Sequence, residues 1–402
     1  MDADTSGQPP MDRDAYAARV IALLRAAGIT GAIEHDEMAA KLRCEEGHVV
    51  DLSRGYEMYR TLPAHQRDEV LEKTVRVAVR RPKAPATWAE AKDHVLPSVQ
   101  PMILAVTTDM RRDGKNPLAR HQLTEHLVVE ISFPVPDALL GLDQETIERW
   151  AVPVDELVAQ AGRNLASRGA RPWMCQAKFP GVSRSPWNDG FDVSRVLFPE
   201  VLQHTGAAMK GDPVVIACTS SVLLVAGSDD PTGLANLGHL GRHLMETEGV
   251  FLFFRPMRHH AGRWEHWLPE KGHPGHIPLA LLQAWNEGND YAAQAATLRT
   301  IAIERGMDTP VLPPIEIRFD TRTQEPLQIV TWRQGRPTAL PKADAVVLVR
   351  GAQTLGIVPW DELLRGLPGE LQPMPGYPPR WMAHTFPAPW QVGTLPLEPW
   401  AP

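Results

Sequence analysis

The sequence predicts a mixed α+β protein with largely antiparallel sheets, flanking helices and more than one domain. The chain has 402 residues, which is longer than one average domain. Its apolar fraction of 43% is that of ordinary globular proteins, so it can bury sizeable cores. Short apolar runs typical of strands alternate with amphipathic segments, and many connections are too short for parallel crossovers. These observations favour antiparallel sheets covered by helices.

The N-terminal part is predicted as a tail followed by a helix, three strands and two helices. Residues 1–10 are acidic and polar, so we expect a disordered tail. From Asp12, apolar residues recur at helical spacing up to Gly28, which is typical of a helix end. The strands and helices that follow are predicted at 31–34, 38–43, 48–52, 53–59 and 64–79. This order is typical of a small α+β layer structure.

The central part is predicted to contain three pairs of strands and several helices. In chain order these are strands at 102–107 and 126–133, helices at 144–150 and 154–167, strands at 214–218 and 222–226, and paired strands at 249–254 and 263–268. Residues 109–117 are rich in charges and turn formers, which predicts a hairpin-like excursion. Asp229, Asp230 and Pro231 stand in the order of a helix cap and a first-turn proline. A helix is therefore expected directly after the strand at 222–226.

After Pro269 the composition changes, and we predict a small C-terminal α+β module over 277–366. Glycines and prolines over 272–278 are typical of a linker. The helices and strands of the module are predicted at 279–286, 291–305, 315–319, 327–332, 345–349 and 360–367. Residues 367–402 are dense in proline, so we expect an extended tail along the surface. Three tryptophans of this tail are available as anchors, namely Trp381, Trp390 and Trp400.

The charge and the cysteine content argue against several classes of protein. With a formal charge of −7 and a pI of about 6.1, the chain lacks the positive excess of a dedicated nucleic-acid binder. Its three cysteines form no Cys-x-x-Cys pair, which argues against a thiolate zinc site and a disulfide framework. The N-terminus has no signal-peptide pattern, and no apolar run approaches the roughly 20 residues that span a bilayer. We therefore expect a cytoplasmic protein that binds neither nucleic acid nor membrane.

Four segments of the chain form a pattern together. They are DLSRGYEMYR at 51–60, WAVPVDEL at 150–157 with RNL at 163–165, NDGFDVSRVLFP at 188–199, and VLLVA at 222–226 with SDDP at 228–231. In this order and at this spacing they resemble the YtpQ-like bacterial family, a domain of unknown function, over about residues 14–268. The resemblance implies a bacterial cytosolic α+β region over 11–270, with a division into 11–99 and 100–270 left open. It implies no activity.

The sharpest candidate site is formed by Asp189, Asp192 and Arg195. Two carboxylates three residues apart, with a guanidinium three residues further on, could hold a cation or a polar ligand. A structural interpretation is open as well. In it, Asp189-Gly190 is a turn, Asp192 caps a helix that begins at Val193, and Arg195 pairs with Asp192. Acid–base chemistry would further require a cleft that separates the two carboxyl pKa values.

A second candidate site is a metal site on the predicted helix after Pro231. His239 and His243 would share one helix face at the i, i+4 spacing that zinc sites use. The zinc-peptidase pattern needs a glutamate directly after the first histidine, and Leu240 occupies that place. Two glycines, Gly238 and Gly241, also weaken the helix. An ordinary pair of surface histidines is therefore the favoured interpretation.

No phosphate-binding loop, dinucleotide-binding glycine motif or nucleophile elbow occurs in the sequence. We therefore expect a non-catalytic binding or adaptor protein that requires no cofactor. The tail at 367–402 is the predicted docking surface for a protein partner or for a second copy of the chain. The alternative is a small-molecule or metal-assisted hydrolase that uses the segment of Asp189, Asp192 and Arg195.

Overall fold

The computed structural model describes residues 9–36, 41–44, 49–80, 83–111, 117–135, 138–169, 171–202, 209–248 and 253–399. The chain divides into two compact units. The first comprises Met1–Ala91 and Ser132–Gly141, and the second comprises Lys92–Ile131 and Leu142–Pro402. Helices and mostly antiparallel sheets occur side by side, so the predicted α+β class is confirmed. No helix within the described ranges combines the length and apolar character needed to cross a membrane.

The first unit packs three helices against a small antiparallel sheet of order β1-β2-β3. Its elements up to Ala91 are α1 (Arg13–Ala26), β1 (Ile33–Asp36), β2 (Lys41–Cys44), β3 (Val49–Asp51), α2 (Ser53–Thr61), α3 (Ala64–Arg80) and the short α4 (Trp88–Ala91). Asp12 begins α1 by accepting a hydrogen bond from the Ala15 amide at 2.8 Å. The core joins Tyr16 and Leu24 of α1 to Leu42, Leu52 and Leu71. The predicted helix–strands–helices order is present.

The following part of the chain contains many short elements. They are β4 (Leu96–Pro101), α5 (Met102–Arg111), β5 (Arg120–Gln122), β6 (Leu127–Val135), β7 (Ala138–Gly141), α6 (Gln144–Trp150), α7 (Val154–Ala166), β8 (Met174–Cys175), β9 (Ser183–Arg184), a 3-10 helix (Val193–Leu197) and α8 (Pro199–Leu202). The strand predicted at 102–107 is wrong, because these residues form α5. Thr107 donates its hydroxyl to the Ile103 carbonyl at 2.8 Å, a bond within the helix. The run of apolar residues fits a buried helix as well as a strand.

A six-stranded antiparallel sheet of order β13-β12-β10-β11-β9-β8 forms one layer of the second unit. Its strands beyond β8 and β9 are β10 (Pro213–Thr219), β11 (Val222–Gly227), β12 (Phe253–His260) and β13 (Arg263–His266), and the helix α9 (Pro231–Glu248) lies between β11 and β12 in the chain. The predicted hairpin is confirmed, with Val215 opposite Val225. Leu234 and Leu237 of α9 are buried against this sheet. Residues 249–252 of the strand predicted at 249–254 lie outside the described residues.

A single long helix, α10 (His276–Arg305), replaces the two helices predicted at 279–286 and 291–305. Its N-terminal half shares a core with α9 through Leu279 and Leu282. It also contacts the strands that follow it in the chain. The boundary predicted at 270–277 is therefore not a boundary between compact units, because both sides belong to the second unit.

Two further sheets follow α10. Their elements, with the helices between them, are β14 (Ile315–Phe319), β15 (Pro326–Arg333), β16 (Thr338–Pro341), β17 (Ala345–Arg350), β18 (Gln353–Pro359), α11 (Trp360–Gly366), β19 (Leu371–Met374), β20 (Arg380–Ala383) and α12 (Pro389–Val392). One sheet has the order β14-β15-β17-β18, and its central pair β15/β17 is parallel. The other has the order β16-β20-β19 and is antiparallel.

The described part of residues 367–402 differs from the predicted extended tail. It supplies two of the three strands of the β16-β20-β19 sheet. Leu371, Ala383 and Leu395 are buried in one core with Trp332 and Val346. Pro373 lies within β19, which is an edge strand, and Pro375, Pro378 and Pro379 lie between β19 and β20, so these are positions that tolerate a missing amide hydrogen. Of the predicted anchors, Trp381 packs edge-on against Trp360, Trp390 is exposed, and Trp400 lies outside the described residues.

Candidate functional site

The loop before the 3-10 helix is organised by the buried carboxylate of Asp192. This side chain is 0% exposed. Its two oxygens accept hydrogen bonds from the backbone amides of Asn188 and Asp189, each at 3.2 Å. Asn188 and Gly190 adopt positive φ angles of 51° and 79°, which turn those amides toward the carboxylate. Both oxygens of Asp192 thus serve to hold the loop.

Asp189 and Arg195 form the second half of this arrangement. The Arg195 guanidinium is 3% exposed and donates from Nη1 to Asp189 Oδ1 and from Nη2 to Asp189 Oδ2, both at 2.9 Å. It lies 4.1 Å from the centre of the Trp187 ring, a cation–π contact. Burial alone would raise the pKa of Asp189, but the hydrogen bonds from Arg195 and from the Phe191 amide hold it below its ordinary value.

The structure brings Asp189, Asp192 and Arg195 together, in a different arrangement from either sequence interpretation. Asp192 precedes the 3-10 helix without capping it, and Arg195 pairs with Asp189 instead of Asp192. The bidentate pair and the two amide bonds occupy the groups that a ligand would need. A cation or polar ligand could bind here only by displacing these contacts, because a buried charge must keep a partner.

The two histidines of the candidate metal site lie on α9 and are exposed. In the part of the chain that the structure describes, no group of three His, Cys, Asp or Glu side chains has a metal-binding arrangement. Neither His239 nor His243 is thus joined by further ligands from the described residues. Gly238 and Gly241, which weaken an isolated helix, face α10 here. A Cβ on Gly238 would come within 2.5 Å of the Pro278 Cβ.

A second cluster of buried polar side chains was not predicted from the sequence. Arg255 of β12 donates from Nη2 to Asp290 Oδ2 of α10 and from Nη1 to Glu287 Oε1, each at 3.1 Å. Arg255 Nη1 also lies 3.0 Å from His126 Nε2, and His126 Nδ1 lies 2.8 Å from the Tyr377 hydroxyl. Tyr377 donates that hydroxyl to Asp290 Oδ2 at 3.3 Å. We call the closed circuit of Arg255, His126, Tyr377 and Asp290 the Arg255 ring.

The proton positions in the Arg255 ring follow from its chemistry. A guanidinium can only donate, so His126 Nε2 must accept from Arg255 and the proton of the neutral imidazole lies on Nδ1. His126 Nδ1 then donates to Tyr377, whose own proton points to Asp290. Burial, reinforced by the positive charge of Arg255, lowers the pKa of His126 to about 3. Both nitrogens of His126 are occupied, so it is a poor general base at neutral pH.

Burial also shifts the acids of the ring. It raises the pKa of Asp290 to about 6, although the charge and hydrogen bond of Arg255 oppose the shift. The pKa of Tyr377 is raised by burial and by the nearby carboxylate of Asp290. At neutral pH the ring therefore holds a guanidinium, a carboxylate and two neutral groups. Because Arg255 is 5% exposed and Asp290 is 6% exposed, this pair is effectively removed from water.

A pocket of about 190 Å³ opens beside the ring. Its lining consists of Thr124, Glu125, His126, Phe253, Met257, Trp264, Glu265 and His266. The carboxylate of Glu265 is held by Arg258 at 2.5 Å, and His266 Nδ1 lies 2.8 Å from the Pro256 carbonyl. The polar groups at the pocket wall thus make contacts within the chain. The pocket is small for a drug-sized or nucleotide-sized ligand.

Sequence reasoning missed the Arg255 ring because its members are scattered. His126 and Tyr377 are 251 positions apart, and no local motif connects them. One signal was present. Asp290 stands one helical turn after Asn286, yet it falls in the gap between the helices predicted at 279–286 and 291–305. On a helix that continues through them, such residues are polar groups facing a core, and buried polar groups need partners.

No protein-family model, curated protein or solved structure matches the chain. The resemblance to the YtpQ-like family therefore stays a prediction that rests on the four segments at 51–60, 150–165, 188–199 and 222–231.

Proposed function

We propose that this protein is a non-catalytic binding protein that contacts a protein partner through apolar side chains exposed by residues 277–399. The observation that carries the proposal is Trp390. This residue lies on α12 and is 72% exposed, the highest value among the large apolar side chains of the described residues. Tryptophan is enriched among residues that dominate binding energies at protein interfaces, because its large ring buries much surface at a small entropic cost.

Other exposed apolar side chains support the same region. Within the described residues, six of the ten exposed large apolar side chains come from 277–390, namely Ile277, Ile303, Met307, Val311, Phe319 and Trp390. Single exposed apolar residues are ordinary on protein surfaces, and a contiguous patch of them marks an interaction surface, so the five residues besides Trp390 are candidate members of such a patch.

The alternative, a hydrolase acting through Asp189, Asp192 and Arg195, has less support. Those three side chains are engaged with each other and with backbone amides, which fits a role in holding the loop. The hydrolase would gain support if Asp189→Asn abolished a hydrolytic activity of the purified protein while leaving its thermal stability unchanged.

A photo-crosslinking amino acid placed at position 390 tests the binding proposal in the intact protein. We expect cross-links from position 390 to one recurrent protein partner, and a loss of at least about tenfold in co-purified partner for Trp390→Ala. Met174 is the matched control, because it is also a large exposed apolar residue, at 45%, and lies outside 277–399. The proposal is wrong if positions 390 and 174 give the same cross-links, or if Trp390→Ala retains the partner.

A further inference from the structure

The strand β14 forms one edge of the β14-β15-β17-β18 sheet. Along its inner side it pairs with β15, from Ile315 opposite Val330 to Phe319 opposite Pro326. No other segment of the described residues makes a strand pairing or a backbone hydrogen bond to its outer side. The opposite edge of the sheet is protected differently, because Ile357 of β18 exchanges two backbone hydrogen bonds with Glu398, at 3.0 and 2.9 Å. An unprotected edge is a template for another strand.

The side chains of β14 alternate between two chemically different faces. Ile315, Ile317 and Phe319 point to one face, and Phe319 is 49% exposed. Glu316 and Arg318 point to the other face, with side chains that are each 49% exposed. Within the strand these two side chains form an ion pair at 3.1 Å. A surface pair of this kind is weak and can exchange partners at little cost.

The order apolar–acidic–apolar–basic–apolar is self-complementary for antiparallel pairing. If two copies pair about a twofold axis at Ile317, Glu316 lies opposite Arg318 of the second copy and the reverse holds by symmetry. On the other face, Ile317 meets Ile317 and Ile315 meets Phe319. A shift of two residues would place Glu316 opposite Glu316 or Arg318 opposite Arg318. Parallel pairing in register would oppose like charges as well, which is unfavourable.

We propose that the outer edge of β14 binds the β14 strand of a second copy of this chain, antiparallel and centred on Ile317. The two sheets of four strands would then continue into one another across the twofold axis. A contact based on five residues from each copy is small, so the dimer forms at micromolar concentrations or above and dissociates on dilution. This inference does not use Trp390 and does not depend on the proposed function.

Charge exchange across the twofold axis provides a test with the full-length protein. In a dimer of the Glu316→Arg variant, an arginine at position 316 of each copy lies opposite Arg318 of the other copy. In a dimer of the Arg318→Glu variant, a glutamate at position 318 of each copy lies opposite Glu316 of the other copy. We expect each single variant to dimerise at least about tenfold more weakly than the wild type in sedimentation velocity from about 5 to about 200 µM. An equimolar mixture of the two variants, and the double variant with both changes, should recover the wild-type affinity.

Both positions are exposed, so the variants are expected to fold, which circular dichroism and thermal unfolding would verify. Phe319→Ala is a second probe, because it removes apolar contact without changing charge and should also weaken the dimer. The inference is overturned if the wild type remains monomeric at the highest concentration. It is also overturned if the single variants dimerise like the wild type, or if folded variants fail to recover association when mixed.

Discussion

Three buried arginines of the second unit, Arg195, Arg255 and Arg380, show how single residues organise this protein. They are 3%, 5% and 2% exposed. Arg380 donates to Gln294 Oε1, to the Ala339 carbonyl and to the Tyr291 carbonyl, at 2.6, 2.9 and 3.1 Å. Burial lowers the pKa of Arg380 to about 10, which still leaves it charged at neutral pH. Arg255 and Arg380 connect segments that are distant in sequence, and Arg195 holds a loop that turns sharply. Removing any one of these guanidinium groups would leave buried hydrogen-bond acceptors unpaired.

The Arg255 ring contains two groups with opposite pH dependence. The pKa of His126 falls from 6.5 to about 3 on folding, so its contribution to stability is present above pH 6.5 and is lost as pH falls toward 3. The pKa of Asp290 rises from 3.8 to about 6 on folding, so its contribution is present below pH 3.8 and is lost as pH rises through 6. Between pH 5 and 7 the two contributions partly cancel.

Single substitutions in the ring should therefore tilt the pH dependence of stability in opposite directions. Between pH 7 and pH 5, Asp290→Asn should lose roughly 1 kcal/mol more unfolding free energy than the wild type, because only the His126 contribution remains. His126→Gln, whose amide can still accept from Arg255 and donate to Tyr377, should gain roughly 2 kcal/mol relative to the wild type, because the His126 contribution that falls over this range is absent. Urea unfolding at both pH values measures this difference, and equal changes in all three proteins would contradict it.

At the scale of the residue, adjacency decided what could be predicted. Asp189, Asp192 and Arg195 are close in sequence, so their association was predictable, although the pairing partner of Arg195 was not. The members of the Arg255 ring meet only after β12, α10 and the turn around Tyr377 are placed. The spacing of residues along the sequence does not indicate that these side chains will be in contact.

At the scale of the element, the packing of α9 on α10 depends on glycine. A Cβ added to Gly238 would lie 2.5 Å from the Pro278 Cβ and 2.8 Å from its carbonyl carbon, which is backbone that cannot move aside cheaply. A Cβ on Gly288 of α10 would meet nothing within 4 Å. The same residue type thus permits close helix contact at one position and only weakens the helix at the other.

Two glycine-to-alanine substitutions should consequently have opposite signs. We expect Gly238→Ala to lower the unfolding free energy by about 1 to 3 kcal/mol through overpacking. Gly288→Ala should raise it by up to about 1 kcal/mol, because alanine favours the helix and restricts the unfolded chain. Chemical denaturation of both variants provides the measurement. Destabilisation by both substitutions would show that α10 tolerates no Cβ at Gly288 either.

Elements with strong local signals were predicted well, and ambiguous ones were not. The β10–β11 hairpin and α9 were predictable because strand periodicity, a polar turn and a first-turn proline all agree. The run at 102–107 fits a strand or a buried helix equally, and tertiary packing made it α5. The strands β16 and β19 contain prolines, and β16, β19 and β20 are each only four residues long, so their pairing depends on neighbours that local sequence does not specify.

At the scale of the whole molecule, residues 367–399 belong to a core. Ending the chain at Leu367 would remove the buried side chains of Leu371, Arg380, Ala383 and Leu395. We expect this truncation to destabilise the second unit by more than about 5 kcal/mol, since each large buried side chain lost costs a few kcal/mol. Limited proteolysis should then cleave within 276–366.

The first unit provides the internal control in the same experiment. Its core is formed by its own residues, among them Tyr16, Leu42 and Leu71. Cleavage sites in 9–80 should therefore stay protected in the truncated chain. If residues 276–366 of the truncated chain resist proteolysis as well as those of the wild type, the β16-β20-β19 sheet contributes little to the stability of the second unit.

The central position of β20 also determines when this part of the chain can complete its folding during synthesis. The strand β16 pairs with β20, and Gln294 of α10 donates to the Pro378 carbonyl while accepting from Arg380. Gln294 is therefore synthesised 84 residues before Pro378 and 86 residues before Arg380. Until translation has passed Ala383, a nascent chain carries an unpaired strand edge and unpaired polar groups, which chaperones and proteases recognise. A premature stop late in the gene should thus yield little protein, although most of the chain has been made.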